Sequence, residues 1–263
     1  MLIATALAEG PAAPEAIERL RLAGRPVTVM AMAVSGMTAA SAAGAPTSRQ
    51  LLERTADALS IHLSVVTPGS VAALVGDVCY AIVPSPAQGA NADDLPEKAQ
   101  SAARDFLQRA SDGLTGVVLG IGRAVDSSGP ADLARSRHDA DRTLRVLRQR
   151  RGRCIARYAE VQVDALLLEI GDLLRSEGGL LDGPIERLRT YDRENGTALV
   201  ETLTAWLDSF GNVLGASASL DVHPNTFRYW LRRAAEITGI DLNDPEKRFA
   251  AMLELRIMRA DSP

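Results

Sequence analysis

Between His223 and Arg233 the chain carries side chains suited to reading and holding a polyanion: His223, Asn225, Thr226, Arg228, Tyr229, Arg232 and Arg233, with no acid among them. If the segment is helical, each residue turns by about 100°. Phe227 and Leu231 then share one apolar face, with Ala234 beside them. Asn225, Tyr229, Arg232 and Arg233 fall on the opposite face, flanked by Thr226 and Arg228. Arginine pairs bidentately with guanine or holds phosphates, and asparagine reads adenine. Asn225 and Thr226 lie nearest the helix start and are placed for base edges. Arg232 and Arg233 lie further along and are placed for the DNA backbone. His223 sits at the expected N-cap, where it either reaches a phosphate or only caps. A solvated amphipathic helix with merely exposed arginines has the same periodicity. Total charge does not separate the two readings, because residues 212–263 hold seven Lys/Arg and seven Asp/Glu.

The elements needed to position such a helix can be read on either side of it. Leu199, Leu203, Trp206 and Leu207 form a helical stripe that Gly211 ends. Asn212 is a suitable N-cap for a short helix, Val213–Leu220. Asp221-Val222-His223 make a three-residue turn, and Pro224 has the fixed φ of a first helical residue. The second helix is expected to reach about Ile237, with Thr238-Gly239 ending it. Short helix, tight turn and longer helix make a helix-turn-helix. Trp230 borders the Phe227/Leu231 face and is expected at the core edge rather than stacked on DNA. Asp244-Pro245 opens a last helix, whose Phe249, Met252, Leu253 and Ile257 are expected to pack beneath the motif.

Upstream the pattern changes. Leu2–Ala8 and Pro14–Leu22 read as short helical pieces. Val27–Val34 is a β-branched apolar run with the length of a buried strand. Ser35–Pro46 reads as a loop. Ser48 can cap a helix marked by Leu52, Ala56, Leu59 and Leu63. Residues 71–75 and 78–83 flank Gly76-Asp77 as a β-hairpin. Pro84–Pro96 reads as a polar loop. Ala99, Ala103, Phe106 and Ala110 mark a helix, Val117–Val125 a strand, and Leu133, Ala140, Leu144 and Leu147 another helix. Cys154–Tyr158 reads as a last short strand. The order β-α-β-β-α-β-α-β predicts an α/β sandwich on a mainly antiparallel sheet. Everything after about residue 160 reads as helix, which places a domain boundary near 158–185, with Asp182-Gly183-Pro184 as punctuation inside it.

Composition sets the wider limits. The 263 residues are 46% hydrophobic and 24% charged, ordinary for a soluble globular chain. No apolar run approaches the ~20 residues of a membrane span, and the N-terminus lacks the basic region of a signal peptide. Cys79 and Cys154 fit neither a CxxC metal site nor a disulfide framework, so a reduced cytoplasm is expected. His62, His138 and His223 lack ligand-spaced partners, so neither metal nor cofactor is expected. The net charge of −4 means that nucleic-acid affinity must come from a local basic face. A second basic run, Arg142, Arg145, Arg148, Arg150, Arg151, Arg153 and Arg157, reads either as a solvated helix end or as a further phosphate-contacting patch.

The stretch Leu220-Asp221-Val222-His223-Pro224-Asn225-Thr226-Phe227-Arg228-Tyr229-Trp230-Leu231-Arg232-Arg233, followed by Thr238-Gly239 and Asp244-Pro245, resembles the C-terminal DNA-binding domain of PucR/CdaR-type regulators. Pro224 and Trp230 stand where that family usually has basic residues. Residues 25–160 resemble the degenerate GGDEF-like domain that precedes it there. The resemblance implies an α+β chain: an N-terminal helical segment (1–24), a GGDEF-like α/β sandwich domain (25–160), a helical linker (161–189) and an all-α helix-turn-helix domain (190–263). It implies a DNA-binding transcription regulator acting on double-stranded DNA as a homodimer, with a small-molecule effector as a further partner and no membrane. The short segment ahead of the first strand leaves no further sensor domain to expect. A GGDEF-like domain also raises cyclase chemistry, which needs acids to hold metal at a triphosphate. The hairpin turn offers only Asp77 and the end of the first strand none, so no catalytic residue and no enzyme activity are expected. The rival reading is a ligand-sensing, protein-interaction module that does not touch DNA.

Overall fold

The computed structural model describes residues 2–34, 48–85, 94–109, 116–149, 152–176 and 183–260. The expected Ser48 cap, the 35–46 loop, Ala110, Arg150 and Arg151 fall outside what is described. The chain is mixed α+β and divides into two units, residues 1–165 and 166–263.

The first unit opens with two short helices, α1 (Leu2–Ala6) and α2 (Ala13–Arg19). Its sheet contains β1 (Pro26–Val34), β2 (Val71–Val75), β3 (Val78–Pro84), β4 (Val117–Ile121), β5 (Val125–Asp126) and β6 (Ile155–Arg157). Between the strands run α3 (Ser48–Val66), α4 (Leu95–Arg109) and α5 (Pro130–Gln149). The strand order is β2-β3-β1-β4-β6, with β5 paired to the start of β1. All pairings are antiparallel except β4 with β6. The β2–β3 turn places Gly76 at φ +66°, which glycine adopts without steric cost.

β1 is central, and seven consecutive residues of it are buried, so both faces of the sheet are covered. On one face Met30 and Met32 join Leu52, Leu59 and Leu63 of α3 and Ala99, Ala103 and Phe106 of α4 in one apolar cluster. α5 lies on the other face, where the Tyr80 hydroxyl donates to Asp141 Oδ1 at 2.6 Å. The α5 residues picked out by period, Leu133, Ala140, Leu144 and Leu147, are all buried.

One strand differs from expectation. The run read as Val117–Val125 breaks after Ile121. Met30 pairs with Ile121, yet Val27, three residues back, pairs with Val125, four residues on. One extra residue is taken up across Gly122-Arg123-Ala124, as in a β-bulge. α5 is the physical reason for the break. It comes so close that a Cβ on Gly122 would stand 2.0 Å from the Ser136 carbonyl oxygen.

The second unit is helical. α6 (Tyr158–Ser176) leads into it, followed by α7 (Pro184–Asn195), α8 (Leu199–Asp208), α9 (Val213–Ser219), α10 (Pro224–Thr238) and α11 (Pro245–Ala260). Its core gathers Ile185, Leu188, Leu199, Leu203, Leu207 and Phe227, among others. α11 corrects one part of a second expectation: Met252 packs against the core cluster and Ile257 is buried, as expected, but Phe249 is not. The helix packs on α7 and α8 through Ala251 and Leu255, while Phe249, read as inward, is 64% exposed. Arg256 and Arg259 tie α11 to Asp208 at the end of α8, at 2.6 and 3.5 Å.

Candidate nucleic-acid interface

α10 is the element on which the basic and polar residues converge. Its ends are set as the sequence suggested: Pro224 is its first residue and Gly239 closes it at φ +72°. Ahead of it, the Asn212 side chain accepts from the backbone N–H of Leu214 and Gly215, at 3.0 and 3.2 Å, and so starts α9. The turn between the two helices is a Schellman closure. Val222 N–H donates to Ser217 C=O at 3.0 Å and Asp221 N–H to Ala218 C=O at 3.3 Å. Asp221 takes φ +54° there, a conformation that aspartate tolerates better than most residues.

Phe227, Leu231 and Ala234 are buried and fix the rotation of α10 against its unit. Trp230 is partly buried against the same cluster, at the core edge as expected. This rotation turns His223, Asn225, Thr226, Arg228, Tyr229, Arg232 and Arg233 to solvent together. Tyr229 is 64% exposed, an unusual position for an aromatic ring with no partner element.

These side chains differ in how firmly they are held. His223 Nδ1 accepts from Asn225 N–H at 3.2 Å, so the neutral ring carries its proton on Nε2 and can donate outward. Arg228 Nη1 donates to Asn225 Oδ1 at 2.9 Å, pairing the two residues nearest the helix start. Arg233 is engaged twice, by Glu236 Oε2 at 3.1 Å and by the Tyr191 hydroxyl at 3.4 Å, with its guanidinium 5.5 Å from the Tyr191 ring centre. Among the described residues, Arg232, Thr226 and Tyr229 have no side-chain hydrogen bond or ion pair. Arg232 is therefore a bare cation on this face, whereas Arg233 already has a counter-ion.

Three supporting residues lay beyond sequence reading. Tyr191 stands 42 positions before Arg233, and no local signal joins them. Arg187 Nη2 donates to the Thr238 carbonyl at 3.2 Å, holding the last turn of α10 from α7. Asp192 caps α8 from the previous helix. Its carboxylate accepts from Leu199 N–H at 2.9 Å, Val200 N–H at 2.8 Å and the Thr197 hydroxyl at 2.5 Å. Bonds to a charged acceptor are worth about 1.5–3 kcal/mol net. Asp192→Ala is expected to cost the helical unit about 2 kcal/mol, read as a lowered midpoint in urea with an unchanged slope. A wild-type midpoint would show that water replaces the cap at no cost.

The second basic run is largely spoken for. Arg148 lies 3.9 Å from Asp77, Arg157 bonds Glu160 at 3.0 Å, and Arg153 pairs with the same Glu160. Arg142 and Arg145 have partners as well. Asp77, the lone acid of the hairpin turn, is 88% exposed.

With this geometry in place the chain can be set beside known proteins. Residues 199–257 match the model of the PucR C-terminal helix-turn-helix domain, so α8 to α10 and most of α11 fall within it. Residues 8–146, more than half of the chain, match that of the GGDEF-like domain. The chain belongs to the PucR-type regulator family. Similar proteins include the carbohydrate diacid regulator of Escherichia coli K12, 35% identical over 133 residues, which are 49% of this chain and 33% of that protein. The DNA-binding transcriptional activator AdeR of Bacillus subtilis 168 is 31% identical over 94 residues, 36% of this chain and 22% of its own length. The proline-responsive transcriptional activator PutR of the same organism is 33% identical over 72 residues, 27% and 18%. The matched stretches thus span a third or less of these PucR-type relatives. Among the described residues no helix is long and apolar enough to cross a membrane.

Proposed function

We propose that the protein is a cytoplasmic, sequence-specific DNA-binding transcription regulator without catalytic activity. It lays α10 in the major groove and acts as a homodimer, its α/β domain answering to an effector. The observation that carries this reading is the rotation of α10: Phe227, Leu231 and Ala234 are buried, and seven polar, aromatic or basic side chains face solvent together. An α-helix enters the major groove with one face and must bury the other in its own domain. The Asn225–Arg228 pair sits at the helix start, where base edges are read, and Arg232 lies further along, where phosphate is met. One such motif buries little surface, so two copies reading half-sites about 34 Å apart, or a multiple of that, supply affinity and register.

Arg228 and Arg232 are exposed, so their removal leaves the core intact. Arg232→Ala is expected to weaken binding to all sequences alike and to lower the slope of log K against log salt by about one. Arg228→Ala is expected to cost about 1–3 kcal/mol on the preferred site and to relax discrimination there. The measurement is a titration of the purified protein against fragments flanking its own gene, at two salt concentrations with competitor DNA. Saturable, competitor-resistant binding to one fragment is the expected result. Wild-type affinity in both arginine variants would move the interface off α10. No binding to any fragment would favour a partner-docking module instead.

A further inference from the structure

A cleft within the α/β unit has the chemistry of a further site. β4 and β6 are the parallel pair of the sheet, and both end toward the same edge. Ligands of α/β proteins gather beyond the carboxyl ends of parallel strands, where loops and helix N-termini meet. Here the loop after β4, the first turns of α6 and the start of α4 border a half-open cavity of about 320 Å³. Arg123, Arg157, Tyr158 and Gln162 line it, with Pro96 and Ala124 on its apolar walls. That volume lies at the lower end of the range for small-molecule pockets.

The charges around it are ordered and unequal. Asp139, whose side chain is 2% exposed, takes the Nε–H and one terminal N–H of Arg123 and so fixes the guanidinium fork. The Arg123 guanidinium also lies 5.5 Å from the Tyr158 ring centre. A fork with five donors is not exhausted by one carboxylate. On the other side, Arg153 and Arg157 share the single carboxylate of Glu160. That leaves one positive charge over, and Glu97, 4.0 Å from Arg157 Nη1 and 73% exposed, stands against it. An exposed pair at that distance is weak and readily exchanged for a better-placed anion. Two rigid guanidiniums, a phenol and an amide around a part-apolar cavity suit a planar anion on a short carbon frame.

We propose that this cavity binds a small organic carboxylate, seated between the Arg123 and Arg157 guanidiniums and replacing Glu97 as the counter-ion of Arg157. The site goes beyond the DNA reading and does not depend on it, because binding is measured on the full chain without DNA. Calorimetric titration uses succinate and, separately, inorganic phosphate. Succinate is expected to bind saturably, and more tightly than phosphate, which cannot use the apolar walls. Arg157→Gln is expected to weaken succinate about tenfold or more, and Glu97→Gln to tighten it, with far-UV circular dichroism showing both variants folded. Absence of saturable succinate binding overturns the proposal, as does tighter binding of phosphate. A folded Arg157→Gln with unchanged affinity overturns it equally.

Discussion

Phe227→Ala is expected to unfold the helical unit in large part and with it to abolish DNA binding. Phe227 is fully buried and sits where α7, α8, α9 and α10 meet. Its ring packs among Leu203, Leu207, Leu231 and the other members of one apolar cluster. Truncating a buried phenylalanine removes transfer free energy and leaves a cavity that close-packed neighbours cannot refill, about 3–5 kcal/mol together. Domains have only about 5–15 kcal/mol in hand. The melting transition of the helical unit should therefore fall by more than about 10 °C. Trp230→Ala is the informative contrast. That ring only borders the cluster, so the loss should be smaller even though more side-chain atoms are removed. A Phe227→Ala protein that melts like the wild type would mean that α10 is not anchored by this ring, and the exposed face assigned to DNA would lose its support.

What could be read in the sequence, and what could not, follows from the range of each interaction. The rotation of α10 was legible because Phe227, Leu231 and Ala234 recur within eleven residues of His223, and because Pro224 and Gly239 act on their own backbone. The β2–β3 hairpin was legible for the same reason: Gly76 answers a local demand on φ. The burial of α5 followed from its own period. Features that depend on partners far along the chain were not legible. The break after Ile121 is imposed by α5, whose Ser136 lies fourteen positions beyond Gly122, and nothing in Val117–Val125 announces it. The inward face of α11 depends on which side α7 and α8 offer, and Ala251 and Leu255 were chosen over the larger Phe249. Arg233 is placed with Arg232 for the DNA backbone by its position, yet Glu236 engages it from three residues on, a spacing that can be read, and Tyr191 from one that cannot.

Gly122→Ala should cost more than the same change at any other described glycine of the α/β unit, although it leaves every charge and every apolar side chain in place. Its φ lies outside the left-handed region, so the cost is contact, not backbone strain. The new Cβ would stand 2.0 Å from the Ser136 carbonyl oxygen and 2.8 Å from Ser136 Oγ, and neither can yield like a flexible chain end. Ser136 is fully buried. Its Oγ accepts from Val29 N–H at 2.9 Å and donates to the Arg123 carbonyl at 2.7 Å, joining β1, α5 and the loop after β4. Relief requires α5 to back away from the sheet. That movement stretches the Tyr80–Asp141 bond and the Arg123–Asp139 pair at the same time. Overpacking of this kind costs about 1–3 kcal/mol when neighbours adjust. With buried hydrogen bonds lost as well, about 3 kcal/mol or more is expected. Gly10→Ala is the control, since nothing lies within 4 Å of its Cβ position, and it should stay within about 0.5 kcal/mol of wild type. Because Arg123 is displaced with Ser136, Gly122→Ala should weaken succinate binding even where the protein remains folded. Equal melting of the two glycine variants would show that α5 rests less closely on β4 than these distances require.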